Sequence, residues 1–88
     1  MSFVYKLQER IDTVSAPMFE EDVLKKIEEQ GSVELDASKL SYISSAGLRV
    51  FIEIVHKQGG LRIFNVSQEV YEVLEMTALT EMFTVEKA

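Results

Sequence analysis

The sequence has no cysteine and a single histidine, His56. That inventory excludes disulfide frameworks, thiolate catalysis and Cys/His zinc sites, and it leaves one imidazole as a candidate general base. His56 stands beside Lys57 at the end of an apolar segment closed by Gly59. An imidazole there complements the negative end of a helix rather than serving as a general base. Tryptophan is absent, proline occurs once and glycine four times. The pair Gly59-Gly60 ends a helical pattern and precedes a strand, the reverse of a phosphate cradle, which sits at a helix N-terminus. Positive charge is scarce too, with nine Lys and Arg against fifteen Asp and Glu and a formal charge of -6. A surface of that sign repels phosphate backbones and anionic lipid, so direct nucleic-acid binding and membrane-surface roles are disfavoured. No apolar run approaches the length of a bilayer span, and MSFVYKLQERID lacks a basic stretch followed by a long apolar one. A cytoplasmic location without membrane insertion is expected, and in that setting Asn65-Val66-Ser67 is a chance match to a glycosylation acceptor.

What is present suffices for one small core. With 47% hydrophobic and 27% charged residues the chain has the composition of a globular protein, and 88 residues leave no room for a second core, so residues 1–88 are read as one domain. Phe3, Tyr5 and Leu7 alternate with polar residues as a half-buried strand does, and Asp12 or Thr13 is placed to cap a helix that carries Pro17 in its first turn. Phe19, Val23, Leu24 and Ile27 recur at helical spacing until Gly31. Val33, Leu35 and Ala37 alternate again. A second helix starts near Ser44 or Ser45 with Leu48, Phe51, Ile52 and Val55 on one face, and Gly59-Gly60 stops it. Leu61 and Ile63 form a third strand, Ser67 opens a third helix bearing Val70, Val73 and Leu74, and Phe83 and Val85 mark a last strand. Strands alternating with helices predict an α/β fold with a small, mainly parallel sheet. Because the strands alternate polar and apolar residues, the helices are expected mostly on one face.

Catalytic constellations are thin. No G-x-S-x-G elbow surrounds Ser44 or Ser45 and no Ser-x-x-Lys follows. Glu20-Glu21-Asp22 and Glu28-Glu29 are neighbours along helical patterns, which diverge around the axis and make a solvated face rather than a cation cage. No cofactor and no metal is expected. The segment Ser44-Ser45-Ala46-Gly47 is different. One hydroxyl is enough to cap a helix, so a pair leaves one free, and Gly47 in the first turn is a poor helix former that lets a partner approach the backbone.

Val33-Glu34-Leu35-Asp36, followed by Leu40-Ser41-Tyr42-Ile43-Ser44-Ser45-Ala46-Gly47-Leu48-Arg49-Val50, resembles the central motif of the STAS domain family, in particular the bacterial anti-sigma factor antagonists. Ile11-Asp12 with Ala16-Pro17, Gly59-Gly60-Leu61 and Val70-Tyr71-Glu72-Val73-Leu74 follow in the family's order, so the resemblance spans nearly the whole chain. It implies a STAS fold and a non-catalytic protein that binds an anti-sigma factor with serine kinase activity. Phosphorylation of one serine ends that complex, and a serine phosphatase restores it. The motif places Ser45 at the phosphoacceptor. Ser44 stands where the family usually has Asp, which removes a carboxylate beside the acceptor and makes Ser44 the alternative acceptor. Asp12 and Thr13 resemble a second contact region for the kinase, and Asp36 the acidic residue that ends the second strand. Gly47 and Arg49 complete the implied partner surface, Arg49 facing an acidic partner or the phosphate. Set against longer members, the chain is expected to lack an additional N-terminal strand and C-terminal helix, an expectation under which a sheet edge would be exposed and self-association could follow. Two other readings compete: a STAS interaction subunit of a transporter-associated or other signalling complex, in which the serine merely caps the helix, and a small enzyme or nucleotide-binding protein built on Gly47.

Overall fold

The computed structural model describes residues 2–88. Strand β1 (Phe3–Lys6) and a two-residue strand β2 (Arg10–Ile11) precede helix α1 (Ala16–Gln30). Strand β3 (Val33–Asp36) and a second two-residue strand, β4 (Tyr42–Ile43), precede helix α2 (Ser45–Gln58). Strand β5 (Arg62–Val66), helix α3 (Gln68–Met76), a 3-10 turn at Leu79–Glu81 and strand β6 (Thr84–Lys87) complete the chain. The expected alternation of strand and helix is therefore present, with β2 and β4 added to it. Neither was anticipated, because two residues carry no readable period.

The main sheet runs β1-β3-β5-β6 with every pair parallel, and β2 and β4 form a separate parallel ladder. Each crossover adds its strand at the same growing edge. With connections of one hand, that order sends all three helices to the same face. Side-chain burial agrees: Val33, Leu35 and Ile63 point into one cluster with Phe19, Phe51 and Leu74 of the helices. The other face stays open, as the alternating strands predict. Its residues include exposed Val4 and Lys6 and half-buried Glu34, Arg62 and Phe64. Arg62 ties three strands together there, with its Nε and Nη2 on the Glu86 carboxylate at 2.9 and 2.8 Å, its Nη1 3.3 Å from Glu34 Oε1 and its guanidinium over the Phe64 ring.

Inside, an aromatic chain runs from Tyr5 through Phe19 and Phe51 to Phe83 with centroid separations of 5.8, 6.1 and 6.1 Å. Such tilted and edge-on contacts suit the ring quadrupoles and knit β1, α1, α2 and the approach to β6 into one core. Asn65 departs from regular strand geometry at φ 58, and the β5–β6 register shifts between Ile63 and Val66. The bulge lets both Ile63 and Val66 be buried although they stand three residues apart. Ser67 closes the following loop by accepting the Val70 N–H, so α3 starts where the sequence places it.

Candidate functional site

The short β2–β4 ladder decides what lies next to what. Ile11 pairs with Ile43, Arg10 pairs with Tyr42 with its guanidinium 4.4 Å from the ring centroid, and Ser44 N–H donates to the Ile11 carbonyl at 2.8 Å. Because the two strands are parallel, both run toward the same end of the molecule and each hands the chain to a helix there. Asp12-Thr13, leading to α1, is thereby set beside Ser44-Ser45, which opens α2.

At the start of α2 the two serines divide the work. Ser44 is the N-cap in extended conformation, and its Oγ accepts the Gly47 N–H at 3.3 Å while its carbonyl accepts the Leu48 N–H. Ser45 is the first helical residue and is exposed. Among the described residues its hydroxyl takes part in no hydrogen bond.

The lead-in to α1 is built differently. Asp12 Oδ1 accepts from the backbone N–H groups of Val14 and Ser15, and the Ser15 hydroxyl accepts the Asp12 N–H at 3.0 Å. This is a reciprocal cap one turn ahead of the regular helix, with Ser15 in the place where a Glu or Gln more often stands. The Asp-x-x-Ser spacing was the signal available in the sequence. Of the two expected caps, Asp12 is the one used; Thr13 is exposed and faces outward. The Ser15 N–H, with help from its hydroxyl, holds the Asp12 carboxyl below the usual carboxylate range.

Gly47 requires a correction. It was read as a position that admits a partner to the backbone, but it is buried, and a Cβ there would meet Ile11 Cγ2 and Ile43 Cγ1, each at 2.7 Å. The close approach it allows is that of its own chain: α2 settles directly onto the β2–β4 ladder. A nucleotide has no room at that spot. Asp36 likewise has local duties, since its Oδ1 accepts from the Ser38 N–H and from Asn65 Nδ2, bracing the turn after β3 against the β5 bulge. The Ser38 N–H, followed by the Asn65 amide, keeps its carboxyl below the ordinary range. Arg49 is exposed one turn into α2 and makes no ion pair among the described residues. It does share a shallow groove with Thr13 and Ala46. The structure thus brings Asp12, Thr13, Ser44, Ser45 and Arg49 to one end of the molecule, with Gly47 beneath them and Asp36 committed to its loop.

A family model for the STAS domain matches residues 2–88. The chain belongs to the STAS domain family. Among curated relatives, the anti-sigma-B factor antagonist of Bacillus subtilis (strain 168) is 30% identical over 79 residues, a match covering 85% of this chain and 72% of that protein. A solved structure of a candidate anti-sigma factor antagonist from Thermotoga maritima superposes with a TM-score of 0.83 at 18% identity, covering 97% of this chain and 80% of that one. That likeness establishes the STAS fold for the arrangement of strands and helices described above. The STAS anti-sigma factor antagonists are non-catalytic binding proteins, and the match to them supports a non-enzymatic role for this chain. No helix among the described residues is long and apolar enough to cross a membrane.

Proposed function

We propose that this STAS domain is an anti-sigma factor antagonist whose binding is switched at Ser45. With Ser45 unmodified, it holds an anti-sigma factor that carries serine kinase activity, and the sigma factor is left free for transcription. The kinase transfers the γ-phosphoryl group of ATP to Ser45 Oγ. The new O–P bond replaces the bond to ADP, and the hydroxyl proton is released. A serine phosphatase reverses the step with water, returning inorganic phosphate and the hydroxyl. The relative's name supports the partner class.

The observation that carries the reading is the division of labour between two adjacent hydroxyls: Ser44 caps α2, while Ser45 is exposed and free. A phosphoryl group on Ser45 leaves the cap in place. It adds about -1.5 to -2 charges at the positive end of the helix dipole, next to N–H groups that have no helical partner, so the fold tolerates it. The cost falls on the complex, where a strongly hydrated dianion must be desolvated against a surface matched to a neutral hydroxyl. Asp12 and Thr13, set beside Ser45 by the β2–β4 ladder, and exposed Arg49 supply the surrounding contact area.

The test incubates the purified domain with an anti-sigma factor kinase and ATP and maps the phosphate by mass spectrometry. Phosphate on Ser45, together with loss of the complex in the modified form and in Ser45→Asp, is the expected result. Ser45→Ala should bind and resist phosphorylation. Modification of Ser44 alone, or a phosphorylated Ser45 that binds as well as the bare one, overturns the assignment.

A further inference from the structure

The groove beside Ser45 carries more than contact area. Its floor and walls are apolar, formed by Ala16 and Pro17 at the start of α1 and Ala46 and Val50 on α2. Thr13, Glu20 and Arg49 stand at its rim. At about 270 Å³ it falls just below the span of about 300–1,000 Å³ typical of small-molecule sites, and it is open along one side. A groove of that size suits one or two side chains of a protein better than a cofactor. Val14 and Met18, next to its α1 wall, are 85% and 75% exposed, and large apolar side chains left in water beside a groove are a mark of protein contact. Arg49 is the only basic residue of the rim and has no ion-pair partner among the described residues.

We infer that this groove receives an aliphatic side chain of the anti-sigma factor with a neighbouring carboxylate directed at Arg49, and that Arg49 links the groove to the switch. The inference rests on the Ser45 reading above. Ser45 and Arg49 are four residues apart on α2, which makes them neighbours on the helix surface. While Ser45 is bare, Arg49 is available to the partner's carboxylate. Once Ser45 carries a phosphate, the dianion takes Arg49 as its own counter-ion and stands against the partner's carboxylate. Phosphorylation then removes an attractive pair and adds a repulsive one, a combination that separates two states better than either alone.

The test is calorimetric titration of a purified anti-sigma factor kinase against wild-type protein, Ala46→Gln, Pro17→Lys, Arg49→Ala, Ser45→Asp and the pair Arg49→Ala with Ser45→Asp, each checked for fold by circular dichroism. Ala46→Gln fills the groove, and exposed Pro17→Lys charges its wall should the first variant fail to fold. Each should weaken binding by about tenfold or more, whereas Glu53→Ala, one turn beyond Arg49, should leave it unchanged. Arg49→Ala should weaken the bare form by about tenfold, and the double variant should lose clearly less than the product of the single losses. Groove variants at wild-type affinity, or losses that multiply, overturn this inference even if Ser45→Asp still disrupts the complex. Undiminished binding by Ser45→Asp with persistent groove losses overturns the switch and keeps the groove. Failure of the wild-type protein to bind overturns both.

Discussion

The starts of α1 and α2 lie side by side at the ends of two paired strands, and each must satisfy N–H groups that have no helical acceptor. At α1 the solution is ionic and closed. Asp12 serves two backbone donors, and the Ser15 hydroxyl in turn accepts the Asp12 N–H. At α2 it is neutral and open: Ser44 serves one donor and Ser45 serves none. A carboxylate at the first start anchors the loop in one geometry, but it would also repel any added phosphate. A hydroxyl cap at the second leaves the positive end of the helix without a fixed negative charge, with a second hydroxyl next to it in solvent. One start holds the loop, and the other keeps a hydroxyl in solvent.

The two helix starts share one support, and a change there should have the largest effect. Gly47→Val places carbon atoms where Ile11 and Ile43 already stand, and overpacking of this kind should cost about 1–3 kcal/mol. Since those isoleucines belong to the β2–β4 ladder, both helix starts should loosen together, which amide hydrogen exchange at Ser15 and Gly47 would show. Ser44→Ala is a smaller change. It removes one acceptor and should cost about 1 kcal/mol in chemical denaturation, at α2 alone. Proton linkage separates the starts further. The folded state holds the Asp12 carboxyl low, so its contribution is complete above the unfolded value of about 3.9 and is lost as pH falls through the lower folded value. Asp12→Asn keeps a capping oxygen but has no proton to gain, so its melting temperature should fall less steeply than the wild type's on acidification below about pH 4. Ser44→Ala should leave that slope unchanged. The smallest effect belongs to Ser45→Ala, expected within about 0.5 kcal/mol of wild type because the hydroxyl holds nothing in the folded state. A large loss there would make Ser45 structural and remove the contrast.

Several of these features were legible in the residues themselves. Alternation in Phe3–Leu7 and Val33–Ala37, helical spacing from Phe19 to Ile27 and from Leu48 to Val55, and Ser67 ahead of α3 locate elements because each records a local preference repeated over several residues. The doubled serine was informative for the same reason: capping needs one hydroxyl, and the structure uses one. Gly47 was misread because a glycine looks alike in sequence whether a partner or the chain itself approaches it. Arg10-Ile11 and Tyr42-Ile43 are too short to show a period, so their pairing, and with it the placing of Asp12 beside Ser44, had no local signature. Asp36 had the same difficulty, since its acceptance of a hydrogen bond from Asn65 joins residues far apart in the chain.

The kinds of element, their order and the two hydroxyls at the start of α2 follow from the order of residues alone, since propensity, period and capping act over a few neighbouring residues. What chemistry is absent follows from the residues too, because a side chain that is not encoded cannot be supplied by folding. Which residues meet was left to the tertiary structure. The parallel pairing of two dipeptides brings Asp12 and Thr13 to Ser45, the packing of α2 onto Ile11 and Ile43 buries Gly47, and the approach of α1 to α2 opens the groove under Arg49. Each of these is a contact between segments distant in the chain, and such contacts become defined only when one core forms and fixes the distances between them.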